Sequence, residues 1–75
     1  MTSNESAPDP VPVGEAGIRL GQLLKLIGVV DTGGAARSLL EDGRIMVNGE
    51  VEVRRGRQLA VGDTVAAAGR SFLLT

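Results

Sequence analysis

Seventy-five residues with 43% apolar side chains suit one small folded domain, and the absence of Cys and His removes disulfides, thiol chemistry, Cys/His metal sites and imidazole catalysis together. Trp and Tyr are also missing, Phe72 is the single aromatic, and no apolar run approaches the roughly 20 residues of a membrane span. The net charge of −1 hides a division: residues 1–17 hold Glu5, Asp9 and Glu15 and no base, whereas residues 18–75 hold all 8 Lys and Arg and carry an excess of positive charge.

Pro8, Pro10 and Pro12 stand at alternate positions in the first segment. Proline lacks a donor and fixes φ, so neither a helix nor a central strand suits this stretch. Residues 1–17 are expected to form a disordered acidic tail, leaving residues 18–75 as the folded unit. A unit of that size buries only about 60% of its unfolded surface, so stability rests on aliphatic packing.

Leu20, Leu23, Leu24 and Ile27 form one stripe of a short helix, with Gln22 and Lys25 on the other face and Gly28 as its stop. Asp31 or Thr32 caps a second helix expected to reach about Asp42. Its core face is Ala36, Leu39 and Leu40, and Gly43 stands where a left-handed residue ends a helix. Beyond Gly43 the period changes to two, through Ile45, Val47, Val51 and Val53. A two-residue Asn48-Gly49 turn puts the two pairs of aliphatics on opposite faces. A three-residue loop, Val47-Asn48-Gly49, pairs Met46 with Glu50 and Ile45 with Val51 and keeps them on one face. The three-residue loop is therefore expected. Gly62-Asp63 and Gly69-Arg70 punctuate two further strands, at residues 64–67 and 71–74. The fold class that results is α+β, two short helices packed on a small antiparallel sheet.

Little in the chain suits catalysis. Ser38 and Ser71 have no histidine partner, Glu41 and Asp42 diverge as neighbours on a helix, and Gly33-Gly34 lacks a phosphate-loop spacing. No enzymatic activity, metal or cofactor is expected. Two clusters suit anions instead. In Thr32-Gly33-Gly34-Ala35-Ala36-Arg37, unpaired N–H groups open a helix and Arg37 stands one turn in, free to bind an anion or to pair with Glu41. Arg54-Arg55-Gly56-Arg57 gathers three planar guanidinium forks, unless Glu50 or Glu52 neutralises Arg54. Lys25, alone on its helix face, is by default a solvated lysine. Without aromatics for base stacking, an RNA recognition motif or cold-shock barrel is excluded. Recognition of structured RNA by shape, phosphates and 2′-hydroxyls remains open.

The span from Leu20 to Val65 resembles the S4 RNA-binding domain, through Leu20-x-x-Leu23-Leu24, the Thr32-Gly33-Gly34-Ala35-Ala36-Arg37 helix opening, Gly43-Arg44-Ile45-Met46-Val47-Asn48-Gly49-Glu50 and Gly62-Asp63-x-Val65. Leu24-Lys25-Leu26, Gly33-Gly34 and Glu52-Val53-Arg54-Arg55-Gly56-Arg57 are most similar to the small stand-alone, YbcJ-like members. The resemblance implies an S4-like αL motif, with RNA lying across the helix face and the adjoining loop. It puts Lys25, Gly33, Gly34, Arg37, Arg54, Arg55 and Arg57 in or near the RNA surface, with Asn48, Gly49, Gly62 and Asp63 as turn-makers. The expected protein is a non-catalytic, cytoplasmic monomer that binds ribosomal or transfer RNA, with the ribosome or a protein partner expected to complete the site. Roughly four or five neutralised phosphates give a salt slope of about 3, and removing the acidic tail is expected to tighten binding at low salt. The rival class is a protein–protein adaptor of the translation machinery. A β-grasp sulfur carrier, suggested by Val47-Asn48-Gly49-Glu50, conflicts with two helices preceding the strands.

Overall fold

Arg19 enters the first helix in an extended conformation, and its N–H donates to Gln22 Oε1 at 3.3 Å. In the computed structural model, which describes residues 7–75, this helix is α1 (Leu20–Leu26). It has 7 residues, too few to persist alone, and is held by Leu20, Leu23 and Leu24, all completely buried. Gly28, at φ +79°, turns the chain away. Helix α2 (Gly33–Glu41) begins at Thr32, whose hydroxyl accepts the Ala35 N–H at 3.0 Å, and ends one residue before the expected Asp42. Ala36 and Leu40 are buried, Leu39 is half-buried, and Gly43 follows at φ +72°.

The strands are β1 (Asp9–Val11), β2 (Ile18–Arg19), β3 (Met46–Val47), β4 (Glu50–Val51), β5 (Gln58–Leu59), β6 (Thr64–Ala67) and β7 (Arg70–Leu74). The main sheet runs β1-β7-β6-β3-β4, while β2 and β5 form a separate antiparallel pair. The helices and sheet enclose one core in which Phe72, Leu20, Leu23, Leu24, Leu40 and Ile45 are among the largest buried side chains. This is the expected α+β class. No helix among the described residues is long and apolar enough to cross a membrane.

Two expectations are corrected. The fold begins well before Ile18, because β1 pairs in parallel with β7, matching Asp9 with Phe72 and Val11 with Leu74. Val11 is buried in the core, Asp9 is bonded to Arg70 at 2.9 Å, and Arg70 lies 4.9 Å over the Phe72 ring. The alternate prolines permit this. Val11 C=O accepts from Thr75 N–H and Val13 N–H donates to Thr75 C=O, so odd-numbered residues face β7. Pro10 and Pro12 therefore turn their donorless nitrogens to the outer edge, where no ladder bond is needed. Residues 1–6 of the expected tail lie outside the described residues. Removing residues 1–17 would strip a strand from the sheet, so it would not isolate the effect of acidic charge.

The hairpin is corrected too. Met46 pairs with Val51 and Val47 with Glu50, which leaves a two-residue turn, Asn48 at φ +52° and Gly49 at φ +85°. Ile45 and Val47 are buried, but Val51 and Val53 are 57% and 56% exposed. Treating all four aliphatics as core residues produced the wrong parity. The register is fixed from outside the hairpin. Asn48 N–H donates to the Thr64 carbonyl (2.8 Å), Asn48 Oδ1 accepts the Thr64 N–H (2.9 Å), and its amide nitrogen donates to Asp63 Oδ1 (3.1 Å). Asparagine tolerates the left-handed region better than most residues, and these bonds hold it there.

Strand β6 has the expected bounds and β7 begins one residue early. Their turn is Ala68-Gly69, with alanine at φ +55°. Alanine lacks the local polar bonding that lets asparagine adopt this conformation. Ala68→Asn is expected to stabilise the domain by roughly 0.5–1 kcal/mol, raising the melting temperature by about 4 °C. Thermal unfolding followed by far-UV circular dichroism checks this, and an unchanged or lower midpoint refutes it.

Candidate nucleic-acid interface

The segment between β4 and β5 folds back over the start of α1. Arg57 C=O accepts the Leu20 N–H at 2.9 Å, Arg55 C=O accepts the Gly21 N–H at 2.8 Å, and Arg19 Nη1 donates to Gly56 C=O at 2.9 Å. The open N–H groups of α1 are thus satisfied by loop carbonyls. Gly21 makes the approach possible. A Cβ there would stand 3.1 Å from Arg55 Cγ and 3.3 Å from the Arg55 carbonyl.

Within the loop, Glu52 turns inward and is buried. It accepts the N–H groups of Val53 and Arg54 at 3.0 Å, two guanidinium bonds from Arg54 at 3.2 Å, and Arg57 Nη1 at 2.9 Å. These bonds, with the Arg54 guanidinium first and Arg57 second, hold its carboxyl far below the ordinary glutamate range. Asp63 is also lowered, chiefly by the Ala60 N–H and then by the Asn48 amide. A carboxylate depressed in the folded state stabilises at pH above its unfolded value of about 4.3, and that contribution fades as pH falls toward the folded value. Melting temperature is therefore expected to drop steeply below about pH 4.5. Glu52→Gln should start lower at neutral pH and show a shallower acid limb, with the remainder due to Asp63. Parallel limbs for the two proteins would refute the role given to Glu52.

The sequence-derived site residues divide accordingly. Arg54 and Arg57 are paired with Glu52, and Arg37 Nε is 2.9 Å from Glu41 Oε2. Among the described residues Arg19, Lys25, Arg44 and Arg55 make no ion pair. Arg19, Lys25 and Arg55 line one groove of about 240 Å³ together with Gln22 and Gly33. A Cβ on Gly33 would make only ordinary contact with Arg55 Nη1, at 3.7 Å, so this position tolerates a small side chain. Gly34 is exposed beside the groove and does not line it. A second groove of about 230 Å³ lies across Arg55 and Gly56, walled by Arg37, Glu41 and Val53. The structure therefore brings together Lys25, Gly33 and Arg55, places Arg37 across the ridge, and turns Arg54 and Arg57 to Glu52.

Arg19 and Gln22 were not recognised from the sequence. The bond from Arg19 to Gly56 spans 37 residues and has no local signature. Gly21 did carry a signal, because glycine inside a helix often marks a close backbone approach.

Residues 11–75 match the model of the S4 domain. The chain belongs to the S4 domain family. The match begins at Val11, the buried residue of β1, in agreement with a fold that starts before Ile18. Among similar proteins, RlbA of Bacillus subtilis (strain 168), named a probable ribosome maturation protein, is 43% identical over 61 residues, 81% of this chain and 86% of RlbA. YbcJ of Escherichia coli (strain K12) is 37% identical over 54 residues, 72% of this chain and 77% of YbcJ. The solution structure of E. coli YbcJ, with an αL motif involved in RNA binding, matches 100% of this chain and 96% of its own, at a TM-score of 0.70 and 30% identity.

Proposed function

We propose that this S4-domain chain is a non-catalytic cytoplasmic protein that binds structured RNA, with ribosomal RNA the favoured target. The observation that carries the reading is the convergence of Arg19, Lys25 and Arg55, none engaged by a carboxylate among the described residues, on one groove beside the opening of α2. Three such groups suit phosphates. The RNA-binding motif of YbcJ and the ribosome-maturation name of RlbA support the choice of ligand.

Three neutralised phosphates give a salt slope of about 2, below the figure expected when the paired arginines are also counted. The test is a salt series with a dye-labelled ribosomal RNA hairpin, because the chain has no Trp or Tyr to report binding. The Arg19/Lys25/Arg55→Ala variant should lose most of the affinity and the slope while keeping its circular dichroism spectrum. Equal binding by this variant and the parent, or no binding even at low salt, overturns the reading.

A further inference from the structure

The second groove differs in chemistry from the first. Its ion pair uses only Arg37 Nε and Glu41 Oε2, at 2.9 Å, with both side chains largely exposed. Among the described residues Glu41 Oε1 and the terminal nitrogens of Arg37 have no hydrogen-bond partner. Beside them stands Val53, an aliphatic side chain that is 56% exposed. Arg55 and Gly56 line both grooves, so the two are contiguous, and Gly56 puts no side chain on the saddle between them.

An apolar wall beside a paired acceptor and donor is a poor site for a phosphate, which Glu41 would repel. It suits a nucleobase. Bases outside a helix are held by stacking on apolar or guanidinium surfaces and by bonds to their Watson–Crick edges. Guanine alone presents two adjacent N–H donors, which a carboxylate can accept side by side, next to a carbonyl oxygen that a guanidinium can bond. From this geometry, and resting on the RNA-binding reading above, we infer that the second groove takes an extruded guanine of a bulged or looped RNA. Its base lies between Val53 and the Arg55 side chain, its Watson–Crick edge faces Glu41 and Arg37, and its flanking phosphates lie in the first groove. The ligand class is thus a stem interrupted by an unpaired guanine, in preference to a continuous duplex.

The experiment compares dye-labelled RNA hairpins with one stem sequence and either no bulge or a single bulged G, A, C or U. Parent protein, Glu41→Gln and Val53→Ser are titrated at one salt concentration. The parent is expected to bind the G-bulged hairpin about tenfold more tightly than the continuous stem and about threefold more tightly than the other bulges. Glu41→Gln removes a negative charge and raises affinity for every RNA, so the readout is the ratio between hairpins. That ratio should lose its guanine preference. Val53→Ser should reduce the advantage of every bulge. Both positions are exposed, and thermal melting confirms that the variants fold. Equal binding of all hairpins by the parent, or a guanine preference unchanged in Glu41→Gln, overturns the inference. If all hairpins bind alike but Arg19/Lys25/Arg55→Ala still abolishes binding, the general RNA reading survives and this one fails. Absence of binding to any hairpin at low salt overturns both.

Discussion

Replacing Arg55 with alanine is expected to weaken RNA binding by about tenfold, the largest loss from any single side chain on this surface. Arg55 is the one arginine of its cluster that Glu52 does not engage, and it lines both grooves. Its guanidinium is therefore available for phosphate without first breaking an internal bond. Arg54 is different: it makes three bonds to Glu52, one from its backbone N–H and two from its guanidinium, which lock the loop, so Arg54→Ala should cost binding about twofold at most. The Arg55 backbone carbonyl that accepts from Gly21 survives in the alanine variant, so the loop should keep its place. Arg55→Lys should recover only part of the affinity, because an ammonium keeps the charge but not the planar fork. Fluorescence anisotropy with labelled RNA across a salt series measures these effects, and the slope should fall by about 1 for Arg55→Ala. An Arg54→Ala variant that loses as much as Arg55→Ala would contradict the division made here.

The largest stability effect is expected at Gly17. Gly14 and Gly17 flank one turn, joined by a bond from Gly17 N–H to Gly14 C=O, and both have positive φ, +75° and +70°. Their surroundings differ. A Cβ on Gly14 would meet nothing within 4 Å, whereas a Cβ on Gly17 would overlap the Leu59 carbonyl oxygen, a backbone atom that cannot step aside. Leu59 is completely buried and pairs with Ile18, so relief requires β2 and β5 to part. Gly14→Ala should cost about 1 kcal/mol for backbone conformation alone. Gly17→Ala adds overpacking and should cost about 3 kcal/mol or more, a large part of the stability of so small a domain. Urea unfolding of the two variants gives the comparison. Equal midpoints would show that the turn relaxes and that contact with Leu59 is not decisive.

Much of this architecture is legible in the residues. The leucine stripe of α1, a cap at one of the two expected residues (Thr32), the Gly43 stop and the bounds of β6 each follow from spacing and local chemistry, and each stands in the structure. The misreadings have a common cause. Parity alone could not place Val51 and Val53, because the decision lies with Asn48 and its bonds to Asp63 and Thr64, some 15 residues away. Prolines at 8, 10 and 12 argue against a ladder only if both edges of the strand must donate, and an edge strand uses one. The site was partly legible for the same reason. Gly33 and Arg55 stood out by type and Lys25 only through the family resemblance, but whether an arginine is free depends on which carboxylate folds toward it, and Glu52 chose Arg54 and Arg57. Arg19 reaches the groove only through a contact across 37 residues.

The proline spacing of β1 has one more consequence, for association between molecules. A sheet edge invites a foreign strand when it shows a row of unpaired N–H groups. Along the outer edge of β1 the even-numbered positions would carry those groups, and Pro10 and Pro12 have none to offer. The opposite edge, β4, is only two residues long before Glu52 draws the chain inward. A small aliphatic protein with exposed Val51 and Met46 on its sheet thus closes both margins to strand-by-strand growth, one by withholding donors and the other by brevity.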